Sequence, residues 1–212
     1  MAIKVAFFDM DGTLISENSW DMIYKSLGLE SSPYLNDYLN GKISYRELVY
    51  LDVSYWTRSG KPATKEMIES LARKVTVKEE AKEVIRRLKA LGIRSVMVTA
   101  GLYEFAERVK LELGLDKAFS NRLVYDERGM IRDAVIEVEP LKKNLILRAY
   151  MKENNIKREE SIAVGDTVYD NSMFRETLYG FLLAKEPLDP PGSNVIVVRS
   201  LKEILNYLEK SS

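Results

Sequence analysis

Five runs of apolar, β-branched-rich residues punctuate the chain without polar alternation: Val5 to Phe8, "IRSVMVTAG" at 93–101, "SIAVGDTVYD" at 161–170, "YGFLLAK" at 179–185 and "NVIVVRS" at 194–200. Continuous runs of this kind suit strands covered on both faces. Between them lie helical patterns at 77–92, 102–114 and 142–155, with Gly92 and Gly114 placed as helix ends, and "LKEILNYLEK" forms a closing helix. Strand and helix in alternation predict an α/β fold, a Rossmann-like, mostly parallel sheet flanked by helices.

Two segments depart from that rhythm. From 16 to 76 the pattern is helical throughout, in "SWDMIYKSLGL", "YLNDYLNG", "SYRELVYLDVSYWTRSG" and "TKEMIESLARKV", with no strand to pair with the sheet. This predicts an all-helical cap domain at 16–76, inserted after the first strand of a core domain made of 1–15 and 77–212. At 121–139 two β-rich arms flank Asp126 to Gly129, the signature of a hairpin turn.

Charge and composition narrow the chemistry. The chain has 212 residues with 32 basic and 32 acidic side chains, so it carries no basic excess for nucleic acid or an anionic membrane. No apolar run approaches the roughly 20 residues of a membrane helix, and the start lacks signal-peptide order. A cytoplasmic protein is expected, without nucleic-acid or membrane partners. There is no cysteine and no histidine. Thiolate nucleophiles, disulfides and Ser-His-Asp or Cys-His arrangements are therefore excluded, which leaves carboxylates, lysine, hydroxyls and backbone to carry any catalysis.

The carboxylates are conspicuous at strand ends. Asp9 and Asp11 follow the first strand, Thr99 closes the second, and Asp166 and Asp170 follow the third. In an open parallel sheet ligands bind beyond the carboxyl ends of the strands. Acids gathered there raise one another's pKa values unless a cation neutralises them, and hard oxygen donors suit Mg²⁺. Each motif alone has a plainer reading as a turn or helix cap. Their order and spacing in one βαβ frame favour a shared site.

These residues resemble the haloacid dehalogenase superfamily of phosphohydrolases. Asp9-Met10-Asp11-Gly12-Thr13 is similar to its first motif, Thr99 to its second, Lys143 to its third, and "GDTVYDNSMF" to its fourth. The likeness runs along the whole chain and is to the phosphoserine phosphatase branch, whose lysine stands 23 residues before the first acid of the fourth motif; that spacing selects Lys143 over Lys142. The resemblance implies that Asp9 is the nucleophile, forming an aspartyl-phosphate, and that Asp11 is the acid and base. It further implies Mg²⁺ held by Asp9, Asp11 through its backbone carbonyl, and Asp166, with Asp170 ordering the metal's waters. Thr99, Ala100 and Lys143 are expected at the phosphoryl oxygens. The substrate expected is a small phosphorylated metabolite. A phosphomutase using the same residues, or a non-catalytic phospho-ligand sensor, are the competing readings, and intact Asp11 with a large cap favours the hydrolase.

Within that branch a cap glutamate meets the substrate ammonium and a cap arginine its carboxylate. Here those positions fall on Asn18 and Asp52, and an aspartate repels a carboxylate. Phosphoserine is accordingly expected to be a poor substrate. Trp20, Tyr55 and Trp56 in the same region either pack between cap helices or face the crevice beside Asp52, where they would suit a cationic or ring-bearing leaving group.

Overall fold

The computed structural model describes residues 2–61, 63–186 and 188–210. Seven strands, β1 (Val5–Phe8), β2 (Arg94–Leu102), β3 (Lys117–Tyr125), β4 (Ile131–Val135), β5 (Ser161–Gly165), β6 (Tyr179–Leu183) and β7 (Val195–Val198), form one sheet in the order β4-β3-β2-β1-β5-β6-β7. All neighbours pair in parallel except β3 and β4. The central strand β1 is buried at every residue, and its side chains alternate between two cores. Ala6 and Phe8 join Met97, Ile162, Val164 and Phe181 on one face, while Val5 and Phe7 join Val96, Val98, Ala163 and Leu182 on the other. A period of two with both faces apolar explains why no polar alternation marks these strands.

Helices α1 (Ser19–Leu27), α2 (Leu35–Leu39), α3 (Tyr45–Thr57) and α4 (Lys65–Ala72) follow β1. After them come α5 (Glu79–Ala90), α6 (Tyr103–Leu113), α7 (Asn144–Glu153), α8 (Asn171–Phe174) and α9 (Glu203–Lys210). Local chemistry fixes several of the ends. The Asn18 side chain accepts from the Asp21 N–H to start α1, Ser44 and Glu47 form a reciprocal capping box at α3, and Thr64 caps α4. Among the described residues no helix is long and apolar enough to cross a membrane.

The hairpin and the helical segment connect to the sheet differently from the sequence expectation. The first hairpin arm starts earlier, at Lys117, and pairs in parallel with β2 before turning antiparallel to β4. Its mixed exposure is that of a strand near the sheet edge, so its apolar run is too broken to read as part of the parallel set. The described residues of 16–76 contain no strand, but two isolated bridges, Ile15 to Val77 and Thr64 to Met130, tie the segment to its surroundings. The second is flanked by Lys65 N–H to the Gly129 carbonyl (2.8 Å) and Ile131 N–H to the Ala63 carbonyl (3.1 Å). Helix α3 packs on β4, α4 on α6 and α1 on β2, and Trp20 of α1 and Tyr45 of α3 reach the Ala100 carbonyl near the carboxyl end of β2.

Candidate active site

The turn after β1 is built so that two acids leave the strand at one edge. Asp9 N–H still donates to the Val164 carbonyl of β5 (2.9 Å), and the N–H groups of Thr13, Leu14 and Ile15 all return to the Met10 carbonyl. Gly12 takes φ +73°, and a Cβ there would collide with the Asp166 carboxylate, so glycine is required on both counts. A Cβ on Gly165 would likewise strike Asp170. The two loops are thus pressed together by their glycines, bringing the acids that follow β1 to those that follow β5.

Lys143, at the mouth of α7 and 3% exposed, lies 2.7 Å from Asp9 Oδ1 and 2.7 Å from Asp170 Oδ1. Asp170 Oδ2 accepts from the N–H groups of Asp166 and Thr167, both at 3.1 Å. Thr13 Oγ1 donates to Asp166 Oδ1 at 3.1 Å. Asp9, Asp166 and Asp170 each present an oxygen within 4.8 Å of the others. Asp11 stands apart from that group: Ser19 Oγ donates to its Oδ2 (2.7 Å), while its buried Oδ1 has no partner. One oxygen of its side chain is thus held and the other left without a partner.

Electrostatics agree with a missing positive charge. Burial pushes the Asp9 carboxyl up to about 8, against the pull of Lys143 and with help from Asp170 and Asp11. Burial also raises Asp11 to about 6, and burial with the Asp170 charge raises Asp166 to about 6. Burial would lower Lys143, but Asp170 and Asp9 outweigh it and hold the ammonium charged. One lysine is thus shared among several buried acids. A hard oxygen donor set short of cation fits Mg²⁺.

Thr99 is buried near the carboxyl end of β2 with its Oγ1 accepting the Gly101 N–H (3.0 Å). The Ala100 carbonyl beside it accepts from Trp20 Nε1 (3.3 Å), the Tyr45 hydroxyl (3.3 Å) and Asn121 Nδ2 (3.0 Å). Thr13, Ser19, Tyr45 and Asn121 are positioning residues that sequence reading did not single out, as is Lys78, whose ammonium donates to the Gly12 carbonyl. Thr13 at least lies within a recognised motif. Asn121 interrupts a β-rich arm and carries no signal of its own, yet it also binds the Val138 carbonyl and accepts from the Glu137 and Val138 N–H groups.

Above these residues is a cavity of about 330 Å³. Asp9, Asp11, Thr99, Ala100, Lys143 and Asp166 line its floor, and Trp20, Tyr24, Tyr38, Tyr45 and Asp52 line its helical side. Asn18 reaches the rim, but its side-chain oxygen is occupied in capping α1. Trp56 does not line the cavity: of its two readings the structure has packing between helices, which corrects its candidacy as a substrate-specificity residue. It is wholly buried behind Trp20 (ring centroids 5.3 Å apart) and Tyr24 (5.7 Å), where its large apolar area is removed from water. Tyr55 is absent from the cavity wall too, packing against Tyr24 and Tyr34.

The family model of haloacid dehalogenase-like hydrolases matches residues 3–176. The phosphoserine phosphatase of Methanocaldococcus jannaschii is 30% identical over 212 residues, spanning 97% of this chain and 98% of that protein. Among solved structures, a phosphoserine phosphatase holding a phospho-aspartyl intermediate analogue superposes with a TM-score of 0.80 at 28% identity, covering 98% of this chain and 100% of the other. A substrate-bound phosphoserine phosphatase complex gives 0.81 at 29% identity, covering 98% and 99%. A family match over most of the chain, joined to an acidic strand-end site of this geometry, shows that the protein belongs to the haloacid dehalogenase-like hydrolases and stands with their phosphoserine-phosphatase-like phosphatases.

Proposed function

We propose that this phosphatase is a Mg²⁺-dependent phosphomonoesterase that acts on a small phosphorylated metabolite through an aspartyl-phosphate on Asp9, and that phosphoserine is not its preferred substrate. The observation that carries the chemistry is the meeting of Asp9, Asp166 and Asp170 at and beneath the cavity floor, Asp9 and Asp170 paired with Lys143, with Asp11 close by and one of its oxygens unpartnered. Residues 1–15 and 77–212 act as the catalytic core in this reading, and 16–76 as a cap that meets the leaving group.

An Asp9 oxygen attacks phosphorus, forming the new P–O bond as the ester P–O bond breaks, and Asp11 gives its proton to the departing alkoxide. Asp11, now ionised, takes a proton from water; the resulting hydroxide displaces Asp9 from phosphorus and inorganic phosphate leaves. A group raised to about 6 is suited to both directions of transfer near neutral pH. Ser19 fixes the Asp11 carboxyl through one oxygen and leaves the other for the proton. Lys143, Thr99 and the backbone after Thr99 bind the phosphoryl oxygens that do not transfer. Asp9, Asp166, Asp170 and the Asp11 carbonyl are the groups that would hold Mg²⁺, which when bound supplies positive charge between the attacking carboxylate and the phosphate dianion.

Substrate choice rests on the charge of the cavity wall. Its one lysine or arginine among the described residues is Lys143, on the floor, whereas the helical side presents Glu17, Asp21 and Asp52. A leaving group bearing a carboxylate would meet acids and no cation there. Release of inorganic phosphate from a panel of phosphorylated metabolites tests the reading. Phosphoserine turned over more efficiently than carboxylate-free esters would refute the specificity, and phosphate transfer to a second hydroxyl without release would favour a mutase.

A further inference from the structure

Asp52, on α3, is 3% exposed and lines the cavity, yet it forms no ion pair among the described residues. Its one hydrogen-bond donor is Ser32 Oγ, 2.5 Å from Oδ1. The Tyr24 hydroxyl, from α1, is buried beside this carboxylate; it lies outside strict hydrogen-bonding geometry but close enough to help stabilise the ionised form. A buried carboxylate whose polar neighbours are neutral hydroxyls lacks a counter-charge, and a cationic ligand group would supply it. An ammonium supplies the charge that Asp52 lacks and N–H donors for both oxygens. The surrounding wall suits such a group: the rings of Trp20, Tyr24, Tyr38 and Tyr45 line the cavity, and aromatic faces attract cations.

We infer that Asp52 and Tyr24 form a subsite for a positively charged amine carried by the alcohol part of the substrate, so that the ester cleaved is an amino-alcohol phosphate without a carboxylate. This deepens the phosphatase reading and rests on it for turnover, though not for binding. The floor holds the phosphoryl group by Lys143 and the metal-binding acids, and the helical side holds the opposite charge. A substrate with a phosphate at one end and an ammonium at the other matches the cavity at both ends.

The test compares phosphoethanolamine and phosphocholine with 3,3-dimethylbutyl phosphate, the uncharged isostere of phosphocholine, and uses p-nitrophenyl phosphate to report the chemistry alone. With Mg²⁺ present, kcat/KM for at least one of the amines should exceed that of the isostere by about tenfold or more. Asp52→Asn, which keeps an acceptor for Ser32 but loses the charge, should bring that ratio to within about twofold of one, mainly through KM. Calorimetric binding of the same three esters to the Asp9→Asn protein should give the same order. Equal treatment of amine and isostere by the wild-type enzyme, in turnover or in binding, overturns the subsite even if p-nitrophenyl phosphate is cleaved. Ordered binding without hydrolysis of any ester would keep the subsite and overturn the phosphatase reading. An Asp52→Asn protein that binds the amines as selectively as the wild type would also overturn it, assigning Asp52 only to holding Ser32.

Discussion

At and just beneath the floor of the cavity, Asp9 and Asp170 are each 2.7 Å from one buried lysine and Asp166 is held by Thr13; on the helical side, Asp52 has a serine for company and no cation among the described residues. Both places remove carboxylates from water, and in both burial raises a carboxyl above its ordinary value. They differ in what surrounds the acid. The floor acids are fixed by backbone N–H groups, glycine turns and a lysine, an arrangement that in the proposed reading would serve any phosphate ester, because it would address only the phosphoryl group and a metal. Asp52 is held by one side chain from a loop of the helical segment, and in the proposed reading its neighbourhood would meet the rest of the molecule being cleaved. The contrast separates what is done from what it is done to, and each side can be broken independently.

The largest effects should come from the floor. Asp9→Asn should lower phosphate release from every ester by at least about 10³-fold while circular dichroism and the melting temperature remain those of a folded protein. Asp11→Asn should cost roughly 10²- to 10⁴-fold, the usual worth of a positioned proton donor. An Asp9→Asn protein with wild-type turnover would remove the covalent route.

Next in size is the metal. Treatment with EDTA should stop phosphate release, Mg²⁺ should restore it, and Ca²⁺ should restore it poorly because its longer and looser coordination displaces the oxygens it gathers. A readout free of turnover is the melting temperature: Mg²⁺ should raise it in the wild type by binding the folded state, and Asp166→Asn should reduce that rise. Full activity after chelation would give the three carboxylates a different purpose.

The same contrast governs how much of the fold and of the site is legible in the amino-acid sequence. The strands of the sheet interior, the acids at their ends and the glycines between them are legible because each is dictated locally: a strand covered on both faces must be apolar at every position, and a turn that passes close to a carboxylate must be glycine. Asp9, Asp166 and Lys143 can be placed together because the order of parallel strands brings their loops to one edge. The helical side is less legible. That Trp20 faces the cavity while Trp56 lies behind it depends on how α1 and α3 rotate against each other, and their aromatic residues satisfy either face equally well. Asn121, which gathers backbone groups from two other segments, is a tertiary contact with no periodicity to announce it. Asp52 lies between these cases, since its charge is visible in the sequence but its lack of a cation is not.

That last residue gives the smallest and most diagnostic effect, one on stability. Burial lifts the Asp52 carboxyl from 3.8 to about 6, against the smaller opposing effect of the Ser32 and Tyr24 hydroxyls beside it. The folded protein therefore holds this proton more tightly than the unfolded chain does. The stability that goes with the protonated form is complete below about pH 4 and is lost as pH rises through about 6. At pH 7 to 8 the ionised side chain should cost the fold up to roughly 3 kcal/mol, the upper bound set by that difference in proton affinity. Asp52→Asn removes the titration and keeps the hydrogen bond, so its melting temperature should exceed that of the wild type at pH 7 to 8, with the gap closing toward pH 4. The raised acids on the floor are the same in both proteins and drop out of the difference. Phosphoethanolamine, if it pairs with Asp52, should narrow the gap at pH 7 to 8 by stabilising the wild type more than the variant. A gap that does not change with pH would mean that Asp52 carries no uncompensated charge, and the contrast between floor and helical side would be one of position alone.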